Sequence, residues 1–466
     1  MSATFFDLPV RKVTVVISDL HIGGGENDLG DDHIGHGKPL IRFFVELPKL
    51  VNANPKDILL VINGDFFEFA QTAPEKFDDT ISYGSWCCES ESLDKAKVII
   101  EGNKAIWKAM KEFQRLGGCI VIAVGNHDID FTWPKVRDAF TEEAGYEPYK
   151  YANDVNEEIT TSSSLVYALG KDWLACYDRK LLIAHGNQYD PANKFNNWHN
   201  PIQYGLGPDR LEMCAGTMFM IKFVNPMEKK YPFADNIIPV TRLYGILRQD
   251  APQEWKNMLW LLGTFVVRHP FHTVGEQAGT GSYALDKWFN RYTTNATFKS
   301  NIDKAVMDAS KQSRKLPQDW DKNYESFNIA LTILFALMPK DQWVDLFVQD
   351  KGTLGGLIPA AIADDMKELS DQAKRALRIY NAKIVVMGHT HQPDEANFEE
   401  GQYFNPGSWT RYWDISKKPE IKLGDLEKES NFPFQLNFIE IRHETDGIVK
   451  GLKRCFEDSN KPYEYV

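Results

Sequence analysis

The chain has 466 residues, 43% hydrophobic and 25% charged, which is ordinary globular usage and long enough for one large domain or two smaller ones. Its formal net charge of −12 argues against nucleic acid as a partner, because that affinity rests on basic surface. Six cysteines, sparse and without a CxxC pair, exclude a disulfide framework and predict reduced thiols in a cytoplasmic setting.

The first residues, MSATFFDLPVRKVTVVISDLHIG, hold no basic segment followed by a long apolar one. The run Val13–Ile17 is strand-length, and no stretch reaches the roughly 18–20 uninterrupted apolar residues of a spanning helix. Further strands are predicted at 58–62, 120–124 and Leu181–Ala184, each aliphatic and each running into polar or glycine-rich residues. Helical patterns cover 40–51 and 93–116. This alternation predicts an α/β layered fold. From about 190 to 355 the alternation stops. Apolar segments of helical length at 211–224, 257–267 and 327–337 predict a helical insertion there. The second of them is apolar on nearly every face, so it belongs in a core or against lipid. After a helix at 362–380, a fifth strand is expected at Ile384–Met387. Gln402–Asn405 and 435–441 have strand character with no helix between, so the end of the chain is expected to form or close a second sheet. The division that follows is 1–190 and 361–466 as core and 191–360 as insertion.

All five leading strands end in polar clusters. These are Ser18-Asp19-Leu20-His21, Asn63-Gly64-Asp65, Gly125-Asn126-His127-Asp128, His185-Gly186-Asn187 and Gly388-His389-Thr390-His391. Loops at the carboxyl ends of strands in α/β folds gather at one edge, where ligands bind. Carboxylate, imidazole and amide oxygen suit Mn, Fe or Zn, and the lack of cysteine argues against a structural zinc cage. In Asp19-x-His21 the two side chains can wrap one ion, and in His389-x-His391 each histidine can serve a different ion. Gly64, Gly125, Gly186 and Gly388 are expected to let the backbone turn sharply and approach the site.

This ordered set resembles the calcineurin-like metallophosphoesterase family, whose pattern runs DxH, GD, GNHD, a His followed by Gly, then GHxH. The chain matches each block in order as DLH, GD, GNHD, HGN and GHTH, over residues 13–190 and 383–412. The resemblance implies a four-layer α/β/β/α sandwich with the insertion as a helical cap. It implies that Asp19, His21, Asp65 and His391 hold one divalent ion and that Asp65, Asn126, His185 and His389 hold a second, with Asp65 bridging. Mn is the first expectation for both ions, with Fe or Zn as alternatives. Ions so bridged clamp the attacking and leaving oxygens of an in-line displacement and provide hydroxide at neutral pH. His127 is implied as a non-ligand catalytic histidine and Asp128 as the carboxylate that orients it. The activity implied is hydrolysis of a phosphoester or pyrophosphate bond.

GDFFEF and GHTHQP look like the branch containing UDP-2,3-diacylglucosamine pyrophosphatases, which cleaves a lipid-linked pyrophosphate and carries a helical cap. That branch has Arg where this chain has His127, and this chain is longer. The substrate therefore stays open between a lipid-linked or other amphiphilic phosphate and a soluble nucleotide ester. A catalytically inactive scaffold is the rival from another class, and it is disfavoured because no ligand is missing.

Several residues carry two readings each. Glu68 either serves the site or hydrogen-bonds a neighbouring loop. His33, beside His36 in a glycine-rich loop, either touches substrate or is solvated. Tyr189, Asp190, Asn193 and Arg210 follow the His185 block, and an arginine there can grip phosphate in bidentate fashion or form a surface ion pair. His199, His269, His272 and His443 match no block and are read as structural. Trp255 to Leu262, with Lys230, Arg242, Arg248 and Arg268 along the insertion, fits either a core helix or peripheral contact with a membrane surface.

Overall fold

The structure is a computed structural model whose described residues lie within 3–25, 38–72, 87–146, 164–260, 283–334 and 365–456, with short gaps. The chain divides into two compact units. One comprises Met1–Met213, Asp364–Trp413 and Glu429–Val466, and the other Cys214–Ala363 and Asp414–Lys428.

The first unit is mixed α/β. In chain order its main elements are β1 (Phe5–Asp7), β2 (Val13–Ile17), α1 (Lys38–Leu50), β3 (Ile58–Asn63), α2 (Glu89–Gly102), α3 (Lys104–Arg115), β4 (Cys119–Ala123) and α4 (Pro134–Ala144). They continue with β5 (Leu165–Ala168), β6 (Trp173–Cys176), β7 (Leu181–Ala184), α5 (Asp365–Tyr380), β8 (Ile384–Met387), β9 (Asp394–Asn397), β10 (Gln402–Asn405), β11 (Asn437–His443) and β12 (Val449–Cys455). Two six-stranded, mostly parallel sheets result, ordered β1-β6-β7-β8-β10-β9 and β12-β11-β2-β3-β4-β5. The end of the chain does not build a sheet of its own. β9 and β10 extend the first sheet, and β11 pairs antiparallel to β2 in the second.

Register places the five polar loops. β2, β3 and β4 are parallel neighbours, with Ile17 beside Ile62 and Asn63 beside Ala123. β7 and β8 are parallel neighbours, with Ala184 beside Met387. Three polar loops therefore leave one end of the second sheet at one level, and two leave the first sheet in the same way. One buried cluster draws on both sheets, including Val16, Val61 and Val121 from the second and Ile183, Val386 and Phe404 from the first. The opposite face of the first sheet, with Leu182, Val385 and Tyr403, packs on Leu369, Ala373 and Leu377 of α5. Continuous aliphatic strands suit this burial on both faces. Each fully buried Val, Leu or Ile stabilises the fold by roughly 1.5–3 kcal/mol.

The pattern at 93–116 is interrupted, and the break bears on the site. Gly102 ends α2 and Asn103 precedes α3. The Asn103 amide donates to Gly23 O and Ile99 O, both at 2.9 Å. A Cβ at Gly102 would lie 2.1 Å from Gly24 O. The chain leaving the DLH block thus runs against the helix at this point, and the helix gives way to let it pass.

Within the second unit the described helices include Thr241–Asp250, Tyr283–Thr294 and Ala296–Ser310, with a π-helical turn at Met220–Val224. Of the helix expected over 211–224, residues 216–217 are helical and the π-helical turn continues into a helical turn at Asn225–Glu228, while Arg210–Leu211 is instead a short strand paired with Ile202–Gln203 in the first unit. Most of 257–267 and 327–337 lies outside the described residues, as do His33 and His36. Trp255 is buried, with the Arg248 guanidinium 5.7 Å from its ring. Among the described residues, no helix is long and apolar enough to cross a membrane.

Candidate metal centre

The loops after β2, β3 and β4 are stitched together by their backbones. Asp19 N donates to Gly64 O, Leu20 N and His21 N to Asp65 O, and Ile22 N to Phe66 O. Glu68 N returns to Ile22 O, and Phe69 N donates to His127 O. Below them Phe66 and Phe67 are fully buried against Trp107 and Phe140, which anchors the Asp65 loop from the side away from the ligands. The two loops of the other sheet join through Gly388 N to His185 O at 2.7 Å. Asn63 O accepts from Ser18 Oγ and from His185 Nδ1, both at 2.8 Å. The Asp19 carboxylate accepts from His389 N at 3.0–3.1 Å.

Glycine explains how backbones come this close. A Cβ at Gly125 would sit 2.2 Å from Asp65 Oδ1, and one at Gly388 would sit 2.0 Å from Ser18 Oγ. At these two positions the requirement is space. The ligands themselves carry the unusual backbone. Asp19, His21, Asp65, His389 and His391 all have φ between 45° and 73°, the left-handed region. That conformation disfavours non-glycine residues by about 1–2 kcal/mol each and clusters at functional sites.

These loops assemble three groups that could hold a metal ion: Asp19, His21, Asp65 and His391; Asp65, His185 and His389; and His21, Glu68 and His127. Asp65 belongs to the first two. Asn126 follows Gly125 and donates its amide to Asn193 Oδ1 at 3.4 Å, so its oxygen is the atom able to ligate. The proton positions fit a cation. His185 Nδ1 faces a carbonyl, which only accepts, and therefore carries the hydrogen. Its buried Nε2 lies 3.0 Å from Asp65 Oδ2 without aligning as a hydrogen bond. His21 Nδ1 donates to Glu68 Oε2 at 2.6 Å, which turns its Nε2 to His391 Nε2 at 2.9 Å. His389 Nε2 donates to Asp190 Oδ2 at 2.9 Å, and its buried Nδ1 has no hydrogen-bond partner among the described residues. Lone pairs of ring nitrogens and carboxylates thus converge on common points, which is the arrangement a divalent cation requires.

The buried side chains shift one another strongly. Burial opposes charge on Asp65, but the imidazoles of His185 and His127 prevail and hold it well below the usual carboxylate range. Burial raises Asp19 despite the opposing pull of His185. His391 is pushed well below the usual imidazole value by burial and then by His21. Burial works against the charged form of His185, yet Asp65 raises it to about 9.

No protein-family model matches the chain. Nor does any curated protein. The reading of the site therefore rests on its residues and their geometry.

The structure assigns the two carboxylates near His127 differently from the expectation. Asp128 accepts from Gly125 N at 2.6 Å and Phe66 N at 2.8 Å, so it fastens the GNHD turn to the Asp65 loop. The carboxylate at His127 Nδ1 is Glu68, at 2.7–2.8 Å, which also accepts from Ala70 N and Gln71 N. Burial disfavours charge on Glu68, and His127 and then His21 override it, holding it well below the usual range. Burial likewise opposes the His127 cation, and Glu68 and Asp65 raise it to about 10. Burial, and then Asp65, pushes the Asp128 carboxyl up to about 7.

Of the candidate substrate contacts, Tyr189 packs with the α5 side of the first sheet, its ring 6.4 Å from Trp173. Arg210 lies 4.0 Å from Glu91 in the first turn of α2, which is the ion-pair reading. His33 lies outside the described residues. The only sequence signal for Asp190 was its place five residues after His185.

Proposed function

We propose that the chain is a two-metal phosphoesterase of the calcineurin-like type, hydrolysing a phosphoester or pyrophosphate bond. The observation that carries this reading is Asp65, one buried carboxylate shared by two ligand groups drawn from four strand ends. Asp19, His21, Asp65 and His391 would hold one ion, and Asp65, Asn126, His185 and His389 the other. Mn is the first choice, with Fe or Zn as alternatives. Such ions lower the pKa of water and polarise phosphoryl oxygens. The chain's own part is to fix that geometry and manage the proton of the leaving oxygen. Glu68 holds His127 by Nδ1, so Nε2 is the nitrogen presented to a substrate oxygen. On this reading the two sheets and their helices form a four-layer α/β/β/α sandwich, and the second unit is its insertion.

Activity is tested on p-nitrophenyl phosphate, its bis ester and a nucleotide-sugar pyrophosphate with added Mn. Turnover abolished by EDTA and by Asp65→Asn is expected. A wild-type protein that carries Mn and cleaves none of the three refutes the reading. Cleavage of the pyrophosphate alone points toward a lipid-linked or other amphiphilic pyrophosphate, and cleavage of the diester toward a soluble nucleotide.

A further inference from the structure

We propose that Asp190 and Asn193 form a dedicated support for the second metal position, so that the affinity of this position can be lost separately from that of the first. The inference rests on the two-metal reading.

The two positions have different buttresses. In the first, His21 is held through Nδ1 by Glu68. In the second, His389 is held through Nε2 by Asp190, which is 5% exposed. That bond fixes the ring so that Nδ1 is the ligating atom, as a carboxylate behind a metal histidine does. Asn193 then links two ligands that come from different sheets. Its Nδ2 donates to Asp190 Oδ2 at 2.5 Å, and its Oδ1 accepts from Asn126 Nδ2 at 3.4 Å. The second bond also settles which end of the Asn126 amide faces the metal loops. A rotation of Asn126 would set its oxygen against the Asn193 oxygen.

The pair sits on a braced turn. Asp190 N donates to Asn187 O, Asn193 N and Lys194 N to Asp190 O, and Asn187 Nδ2 to Asn193 O. Gln188 and Phe195 close it with a reciprocal pair of bonds at 2.8 and 3.1 Å. The buried Glu212 carboxylate then accepts from Asn196 N and Asn197 N. Among the described residues, none of these bonds ends on His21 or His391. Displacing this turn therefore disturbs the side chains of Asn126 and His389 and leaves His21 and His391 in place; the tie from His389 to Asp19 runs through His389 N and not through the ring.

The test is Mn titration of the full-length protein by calorimetry, with the Mn electron paramagnetic resonance spectrum recorded at each step. Wild type should bind two ions and show the exchange-coupled spectrum of a pair. Asp190→Ala and Asn193→Ala should each keep one ion at wild-type affinity and lose the other by about 10–100-fold, leaving a mononuclear spectrum at low Mn. Asp190→Asn preserves an acceptor for His389 and should lose less, so it decides the matter if the alanine variant does not fold by circular dichroism. Glu68→Gln should show the converse, weakening the first ion. Two ions at wild-type affinity in Asn193→Ala or Asp190→Asn, or equal weakening of both positions, overturns the inference and leaves the two-metal reading standing. A wild type that binds no Mn overturns the reading itself.

Discussion

Substituting Gly125 by alanine tests the close approach on which the shared carboxylate depends. The added Cβ would lie 2.2 Å from Asp65 Oδ1, 2.7 Å from Asp65 N and 2.8 Å from His185 Nε2. Comfortable contact needs about 3.5 Å, so the Asp65 carboxylate must retreat by about 1 Å. Metal–ligand distances tolerate only about 0.2 Å. The backbone around Asp65 cannot yield cheaply, because Asp65 O accepts two backbone bonds and Asp65 Oδ1 accepts His127 N at 2.9 Å. Overpacking should destabilise the fold by about 1–3 kcal/mol, read from urea unfolding in EDTA. Mn affinity should fall by about 100-fold or more at both positions, since the displaced ligand is common to them. Two Mn ions bound at wild-type affinity by Gly125→Ala would refute the argument that Asp65 bridges.

Three other outcomes follow from packing and burial. Phe67→Ala removes a ring whose centroid lies 4.9–5.4 Å from those of Phe66, Trp107, Phe131 and Phe140, and should destabilise the protein by about 3–5 kcal/mol in urea unfolding. A loss under about 1 kcal/mol would mean the cluster is not close-packed. Gly245 lies exposed within the helix Thr241–Asp250 with nothing within 4 Å of a built Cβ, so Gly245→Ala should stabilise the second unit by about 0.5–1 kcal/mol. A lowered melting temperature would contradict that. Burial raises the Cys119 thiol from 9.0 to about 11. The native state keeps this proton where the unfolded chain releases it. The stability it contributes is therefore complete below pH 9 and is lost as pH rises through 11, by about 3 kcal/mol in all. Unfolding free energies of wild type and Cys119→Ala between pH 8 and 11 should diverge in slope, and parallel curves would exclude the effect.

The loop-end residues were legible because the strands before them are short, aliphatic and buried on both faces, so each strand end is marked by an abrupt change to Asp, Asn, His and Gly. The five polar clusters could be located from that alone, and the resemblance to the metallophosphoesterase pattern picked the seven ligand candidates out of them. Their backbone conformation could not. Left-handed φ at Asp19, His21 and His391 suits Asp and His better than most residues, but bonds to loops far away in sequence fix it, and residue type alone does not locate it. The break at Gly102-Asn103 was hidden for a related reason. The apolar periodicity of 93–116 continues through it, and what interrupts the helix is Gly24 O arriving from another part of the chain. Glu68 and Asp128 show the same limit. Two acidic residues near a histidine look interchangeable in sequence, and only the positions of Gly125 N, Phe66 N and His127 Nδ1 tell which carboxylate meets which donor. The returning stretch 414–428 of the second unit is dense in charge, which marks a solvated segment and not the unit it joins, so the division between units could not be read at that point.

The strand order has a consequence for how the molecule comes into being. β2 has β3 on one side and β11, from near the end of the sequence, on the other, while Leu181 of β7 pairs with Ile384 of β8. Both sheets are thus completed only by late-synthesised strands, and until then each presents an open row of backbone donors and acceptors. Loop closures of this span are slow. His389 and His391 arrive on the same late segment. The full set of candidate ligands cannot assemble until 389–391 has been made, so the cluster closes after the strands that carry its other members.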